Sequence, residues 1–246
     1  MKKIILIFVV AFGIVSFEKP QENNINPLKV VKKISKNYSN GVLKSEEIIT
    51  YNYDDSSVLK SIITTVNNLV TENVEVKYLD GKIYQMSLDL SATKNSTKYS
   101  LIVNYNYTGD LVTSSLNNEN GVTHTDVYIY NDLKQVIKMQ STRNGKLIGR
   151  TNYKYFKNGN LSRESYYSSS DHTKYKDYDD KRNPFELIFT PAYLKIYIHS
   201  INNVTSRIVD GDFETYEYEY NSDNYPTKII MRKGGKLNCI TTIEYN

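Results

Sequence analysis

Tyrosines at alternate positions recur along the chain as Tyr51-Asn-Tyr53, Tyr105-Asn-Tyr107, Tyr128-Ile-Tyr130, Tyr153-Lys-Tyr155 and Tyr218-Glu-Tyr220. Variants are Val76-Lys-Tyr78, Tyr175 to Tyr178 and Glu244-Tyr245. A period of two places both rings on one face of a strand and the residue between them on the other. Each unit but the last is followed by a polar turn and an aliphatic or aromatic residue that opens a second strand: Val58-Leu59, Ile83, Leu111, Val136, Leu161, Phe185 and Ile229. Taking Tyr53, Tyr78, Tyr107, Tyr130, Tyr155, Tyr178, Tyr220 and Tyr245 as markers, six of the seven spacings fall between 23 and 29 residues. That is an internal repeat, and each copy reads as a hairpin or a hairpin with one added strand.

Turn chemistry supports the same division. Of 11 glycines, six directly follow Asn or Asp, at Gly41, Gly81, Gly121, Gly145, Gly159 and Gly211. Such pairs supply the two positive φ angles of a type I′ hairpin turn. The expected fold is all-β: about 16 antiparallel strands in meander order, Tyr-rich hairpins curled into a closed or half-open barrel, with an open single-layer sheet as the alternative. Closure is favoured because a twisted sheet of this width leaves long unpaired edges when open.

The seventh spacing is 42 residues and marks an insertion at about 187–210. It contains Leu187-Ile-Phe-Thr-Pro191-Ala-Tyr-Leu-Lys-Ile-Tyr-Ile198, more apolar than its surroundings, and Pro191 speaks against a central strand. A short helix or packed loop is expected, plugging the sheet interior or a barrel end.

At the N-terminus, Met1-Lys2-Lys3 precedes an apolar run from Ile4 to Val15 and a polar stretch from Ser16. This is the pattern of a signal peptide over residues 1–16, too short to span a bilayer as a helix. Residues 17–27 read as a flexible lead-in and 28–246 as one repeat domain, its first strand at Leu28 to Ile34. Export then places the protein in the periplasm, on the cell surface or outside the cell.

Charge changes the picture little. The formal +4 falls to +2 without Lys2 and Lys3, which gives nucleic acid little support as a partner. Lys29, Lys32, Lys33 and Lys36 read as a solvated strand edge. A single Cys, Cys239, leaves no internal disulfide framework and reads as a buried, inert thiol. The 23 Tyr against 7 Phe and no Trp suit half-exposed strands whose hydroxyls stay in water.

Tyr216-Glu-Tyr218-Glu-Tyr220-Asn-Ser-Asp-Asn-Tyr225-Pro226-Thr-Lys-Ile229 resembles the hairpin signature of YD-repeat-like secreted Bacteroidetes proteins. Asp177-Tyr-Asp179-Asp180-Lys-Arg-Asn183-Pro184-Phe185 is similar to a second segment common among them, over a match from about Leu28 to Asn246. The resemblance implies a porin-like β-fold of unknown function and no activity. The chain lacks most of the Gly-x-Leu turn consensus of a true YD repeat and is too short to enclose a toxin domain.

Candidate chemistry is sparse. His124, His172 and His199 are far apart in sequence and read as isolated surface histidines, without the spacing of a zinc site. Glu46 and Glu47, being adjacent, face opposite sides of a strand. The run Asp177, Asp179, Asp180, Asn183 fails the EF-hand order and reads as a turn between strands. Ser168 to Ser170 form no nucleophile elbow. No catalytic residue, metal site or cofactor is indicated. The expected function is noncatalytic binding or cell-envelope interaction, with exposed Tyr and Asn meeting a glycan, peptide or envelope partner. The other readings are a hydrolase and a small-ligand carrier that use the barrel interior. Asp177, Asp179, Asp180, Asn183, Tyr193 and Tyr197 are the candidate binding residues, because irregular segments on rigid scaffolds concentrate binding sites.

Overall fold

The structure, a computed structural model, describes residues 27–91, 99–119, 121–166 and 172–246. The leader at 1–16, all of the lead-in but Pro27, and Ser168 to Ser170 lie outside the described residues. Sixteen antiparallel strands follow one another in sequence around a closed barrel. The first eight are β1 (Val30–Ser39), β2 (Val42–Tyr53), β3 (Leu59–Val66), β4 (Leu69–Leu79), β5 (Lys82–Leu90), β6 (Tyr99–Thr108), β7 (Leu111–Glu119) and β8 (Val122–Tyr130). The others are β9 (Val136–Arg143), β10 (Lys146–Tyr155), β11 (Leu161–Tyr166), β12 (His172–Arg182), β13 (Asn202–Val209), β14 (Asp212–Tyr220), β15 (Pro226–Lys233) and β16 (Lys236–Tyr245). Strand β16 pairs with β1, Ile243 opposite Lys33 and Thr241 opposite Ser35, so the sheet has no free edge. The lysine-rich segment at Lys29 to Lys36 therefore enters an internal strand, not a solvated edge, and that strand runs from Val30 to Ser39.

Each repeat is built on a bulge that the alternation pattern does not reveal. In six hairpins the register shifts immediately before the marker tyrosine, which then pairs with the first or second residue of the next strand: Tyr53 with Leu59, Tyr78 with Ile83, Tyr107 with Val112, Tyr130 with Val136, Tyr155 with Leu161 and Tyr220 with Pro226. All six partners are buried. An extra residue in one strand breaks the period of two, so an anchor three positions from the next inward residue still faces the core. The buried anchors after Tyr107 and Tyr220 are thus Val112 and Pro226 rather than Leu111 and Ile229.

The tyrosine hydroxyls link successive strands. Tyr53 donates to the Val30 carbonyl at 2.8 Å, Tyr107 to Ile83 at 2.6 Å, Tyr130 to Val112 at 2.7 Å and Tyr155 to Val136 at 2.7 Å. Tyr178 donates to Leu161 at 2.8 Å, Tyr218 to Val204 at 2.6 Å and Tyr245 to Pro226 at 2.7 Å. These hydroxyls are bonded to the backbone instead of staying in water, and the rings point inward. The carbonyls sit where a bulge interrupts the ladder, and buried carbonyls require a donor. Burial keeps the phenols protonated and able to donate, raising Tyr107 to about 12 and Tyr130 higher.

The barrel has two unlike ends. At one, the tight turns carry paired positive φ values, Asn40 and Gly41 at 51° and 77° and Asn144 and Gly145 at 48° and 76°, as type I′ geometry requires, a pairing that the other end has at Asp80 and Gly81, 51° and 72°. The other holds the marker tyrosines, both ends of the described chain and the segment between β12 and β13. That segment forms a short 3-10 helix (Pro184–Leu187) and helix α1 (Pro191–Tyr197). The expected short helix is present, but the insertion spans 183–201, because 202–209 is strand.

Ile188, Phe189 and Tyr193 form one buried cluster with Tyr51, Leu59, Val76, Ile83, Met86 and Ile243, so the inserted segment fills this end of the barrel. A satellite cluster of Val136, Tyr153 and Leu161 lies beneath the same helix. The outer wall carries ion pairs from β14 round to β2 and exposed apolar residues, Ile102, Leu116 and Val127, over β6 to β8. Lys32 pairs with Glu244 at 3.9 Å, Lys36 with Glu46 at 3.5 Å, Lys228 with Glu219 at 2.7 Å and Arg232 with Glu217 at 3.3 Å. Asn52 donates to Ser61 and Asn106 to Ser114, both at 3.0 Å, along the same face.

Candidate functional site

The acidic run lies in strand β12, not in a turn. Three register shifts bend this strand, and its carboxylates anchor the plug's return. Ser206 donates to Asp177 at 3.0 Å. Asp179 accepts from the Asn203 backbone N–H at 3.0 Å, from the Asn203 side chain at 3.1 Å and from the Tyr220 hydroxyl. Asp180 is exposed and pairs with Lys181 at 3.3 Å. Asn183 caps the 3-10 helix, accepting from the Phe185 N–H at 3.1 Å.

Tyr193 is buried, edge-on to Tyr105, with its hydroxyl 3.4 Å from Met86 Sδ and 3.5 Å from the Tyr105 hydroxyl. Tyr197 stacks on Tyr193 with ring centroids 5.8 Å apart, and half of its surface stays accessible. Burial, then the nearby Glu72 carboxylate, raises its pKa. Among the six candidates, Asn183 lines the cavities described next.

A cavity of about 430 Å³ lies inside the barrel between the plug and the wall made by β13 to β16, β1 and β2. Its plug side is apolar, formed by Phe185, Ile188, Ile229 and Ile243. Its other side carries Lys33, Ser35, Asn37, Glu47, Arg207 and Thr241. Period-two alternation puts Lys33, Ser35 and Asn37 on this face while Lys32 and Lys36 face outward. It likewise separates Glu47 in the cavity from Glu46 on the outside, as adjacency requires.

Arg207 Nε lies 2.8 Å from Glu214 Oε2, which also accepts the Tyr216 hydroxyl at 2.6 Å. Burial works against the Glu214 charge, but the bonds from Tyr216 and Arg207 outweigh it and hold the carboxyl below its ordinary range. The guanidinium also lies 5.5 Å from the Tyr216 ring centre, over its face. A fixed cation of this kind can hold the polar end of a bound molecule. Cys239 lies on the cavity wall, half-buried rather than buried, with its sulfur 3.6 Å from Thr241 Oγ1.

A second cleft of about 340 Å³ opens between the plug and the β8 to β11 wall, lined by Gln135, Tyr155, Leu194, Lys195 and His199. His199 is not a surface histidine. Its ring lies 4.2 Å from the Tyr153 ring centre, and Nδ1 is 3.5 Å from the Tyr155 hydroxyl. Burial lowers its pKa to about 4, against a smaller opposite effect of a hydrogen bond with the Lys195 backbone. Its ring is therefore neutral at pH 7. No group of three or more His, Cys, Asp or Glu that could hold a metal occurs among the described residues.

Sequence reasoning missed Lys33, Glu47, Arg207, Tyr216 and His199. Alternation within β1 and β2 marks Lys33 and Glu47 as sharing faces with Ser35 and Ile49, but which face is inside follows only from closure. No helix among the described residues is long and apolar enough to cross a membrane.

No protein-family model and no curated protein matches the chain. Among solved structures it is similar to a porin-like protein from Bacteroides uniformis, at 13% identity over 88% of this chain and 98% of that one, with a TM-score of 0.57. A porin-like protein from Bacteroides vulgatus aligns over 89% of this chain and 98% of that one, at 14% identity and a TM-score of 0.42. The first likeness shows a shared fold, the all-β antiparallel barrel.

Proposed function

We propose that this protein is an exported, noncatalytic binding barrel of the cell envelope, assembled from YD-like hairpin repeats, whose ligand sits inside the lumen. The observation that carries this reading is the cavity with two unlike sides, apolar against the plug at Phe185 and Ile188 and charged at Lys33, Glu47 and Arg207. Ligand sites are typically concave, mostly apolar and supplied with a few placed polar groups. Such a lining suits a small amphiphile with its apolar part against the plug and its polar head toward Lys33 and Arg207. Asn183 borders this space, while Asp177, Asp179, Tyr193 and Tyr197 serve the site by holding and shaping the plug, and Asp180 faces solvent.

The ion pairs on the outer wall from β14 round to β2 favour a barrel surrounded by water over one surrounded by lipid. Spanning barrels present an apolar band to the bilayer, and each Lys or Arg on a lipid face costs about 2–4 kcal/mol at the midplane. The signal-peptide pattern at 1–16 supports export.

Native mass spectrometry of the exported chain, incubated with an envelope lipid and small-molecule extract, tests the reading. The wild type should retain a small-molecule adduct. Cys239→Phe, which fills the cavity, should lose it while keeping the unfolding transition, and Lys33→Met should weaken it. Failure to retain any adduct, or equal retention by Cys239→Phe, would sink the proposal.

A further inference from the structure

Opposite the plug, the hairpin turns form a rim with a composition of its own. After four of its turns the chain presents exposed apolar side chains: Val42 and Leu43, Leu69 and Val70, Leu147 and Ile148, and Phe213, with Leu69 at 71% and Val42 at 56%. The rim is preformed, because its turns are tied to the preceding repeat. Asn67 accepts from the Glu46 N–H at 2.9 Å and Asn144 from the Thr123 N–H at 2.8 Å. Asp210 accepts from the His172 N–H at 3.0 Å, and Gly234 donates to the Phe213 carbonyl at 2.9 Å.

Interleaved with the apolar residues, among the described residues, are Lys44, Arg143, Lys146, Lys233 and Lys236, against the acids Glu119, Asp210 and Asp212, with Lys233 paired to Asp212 at 2.8 Å. The turns at the plug end have the opposite balance, with Asp54, Asp55, Asp80, Asp110, Asp132 and Asp223 against Lys82, Lys134 and Lys157. Exposed apolar residues occur at both ends, at Leu79 and Leu133 for example, so charge is what distinguishes the two rims.

Apolar side chains that can enter the headgroup region, set among cations on a rigid frame, have the chemistry of an interfacial membrane contact. We infer that this rim docks the barrel end-on to an anionic phospholipid surface. Val42, Leu69, Leu147, Ile148 and Phe213 enter the interface, and Lys146, Lys236 and their neighbours meet the phosphates. The outer wall stays in water, and the plug end faces away from the bilayer.

Co-sedimentation of the exported chain with vesicles of equal parts phosphatidylethanolamine and phosphatidylglycerol, compared with phosphatidylcholine alone, tests the inference. Binding should be confined to the anionic vesicles and should weaken in high salt, which screens exposed charges. Two rim variants, Leu69→Ser with Leu147→Ser and Ile148→Ser, and Lys146→Glu with Lys236→Glu, should each lower the partition at least about tenfold. Both should unfold as the native protein does, and Ile102→Ser on the outer wall should bind normally. Absence of binding to anionic vesicles, or undiminished binding by the rim variants, overturns the inference. So does a native dimer that the serine variant dissociates, since a second copy would then cover the apolar rim.

Discussion

Asn160 holds Asn202, 42 residues further on, through both ends of its amide: Nδ2 donates to Asn202 Oδ1 at 3.0 Å, and Oδ1 accepts the Asn202 N–H at 3.0 Å. The same Oδ1 accepts the Ile201 N–H at 2.9 Å, and the residue is fully buried. Asn160→Ala strands two backbone donors at the point where the plug rejoins the barrel. Urea unfolding should show a loss of about 3 kcal/mol. Asn118→Ala, on the exposed outer wall, should stay within about 0.5 kcal/mol of wild type.

The plug is core, and truncating it should cost what core truncation costs. Phe189→Ala and Tyr193→Ala should each destabilise by about 3–5 kcal/mol. Tyr193→Phe loses only the contacts of its hydroxyl, at 3.4 Å and 3.5 Å, and should cost no more than about 1 kcal/mol. Asp179→Ala, which strands the Asn203 N–H, should fall between these limits. An unchanged melting temperature for Tyr193→Ala would mean that the segment does not pack into the barrel.

The tyrosine ties should act repeat by repeat. Tyr130→Phe and Tyr155→Phe each leave a carbonyl at a bulge without its donor, and each should cost about 1 kcal/mol in chemical denaturation. Tyr53→Phe and Tyr155→Phe, several strands apart, should add. Tyr84→Phe, at an exposed bulge position, should be neutral. Equal effects at Tyr84 and Tyr130 would argue against the ties.

His199 makes stability depend on pH in a definite direction. Its pKa is lowered from 6.5 to about 4 in the folded protein, so between those values the unfolded chain takes up a proton that the folded one refuses. The stabilisation is complete above pH 6.5, is lost as pH falls toward 4, and amounts to a few kcal/mol. His199→Phe should remove this component, so the difference between variant and wild type should shrink or reverse from pH 7 to pH 4.5. A constant difference would show that the ring titrates normally.

Cys239, half-buried on the cavity wall, should react with a small neutral thiol reagent more slowly in the native protein than in urea, and more slowly still with a bulky one. Equal native rates for the two reagents would place the thiol on the outside of the barrel.

Period two in Tyr51-Asn-Tyr53 and its relatives, the Asn-Gly and Asp-Gly pairs and the repeat spacing determined an antiparallel meander of about 16 strands, because each of these signals is local. The excess of 17 residues after Tyr178 likewise marked the plug. Only the tertiary structure decided which face of the meander is inside. Closure of β1 on β16 turns the tyrosines and Lys33 inward and leaves Lys32 and Lys36 on the outer wall. The bulges before Tyr53, Tyr107 and Tyr155 were equally out of reach, since an inserted residue such as Thr113 looks no different from its neighbours in a strand. His199 and Arg207 acquired their character from burial by segments distant in sequence. Desolvation and pairing are properties of the assembled lumen, and no local pattern of residue types encodes them.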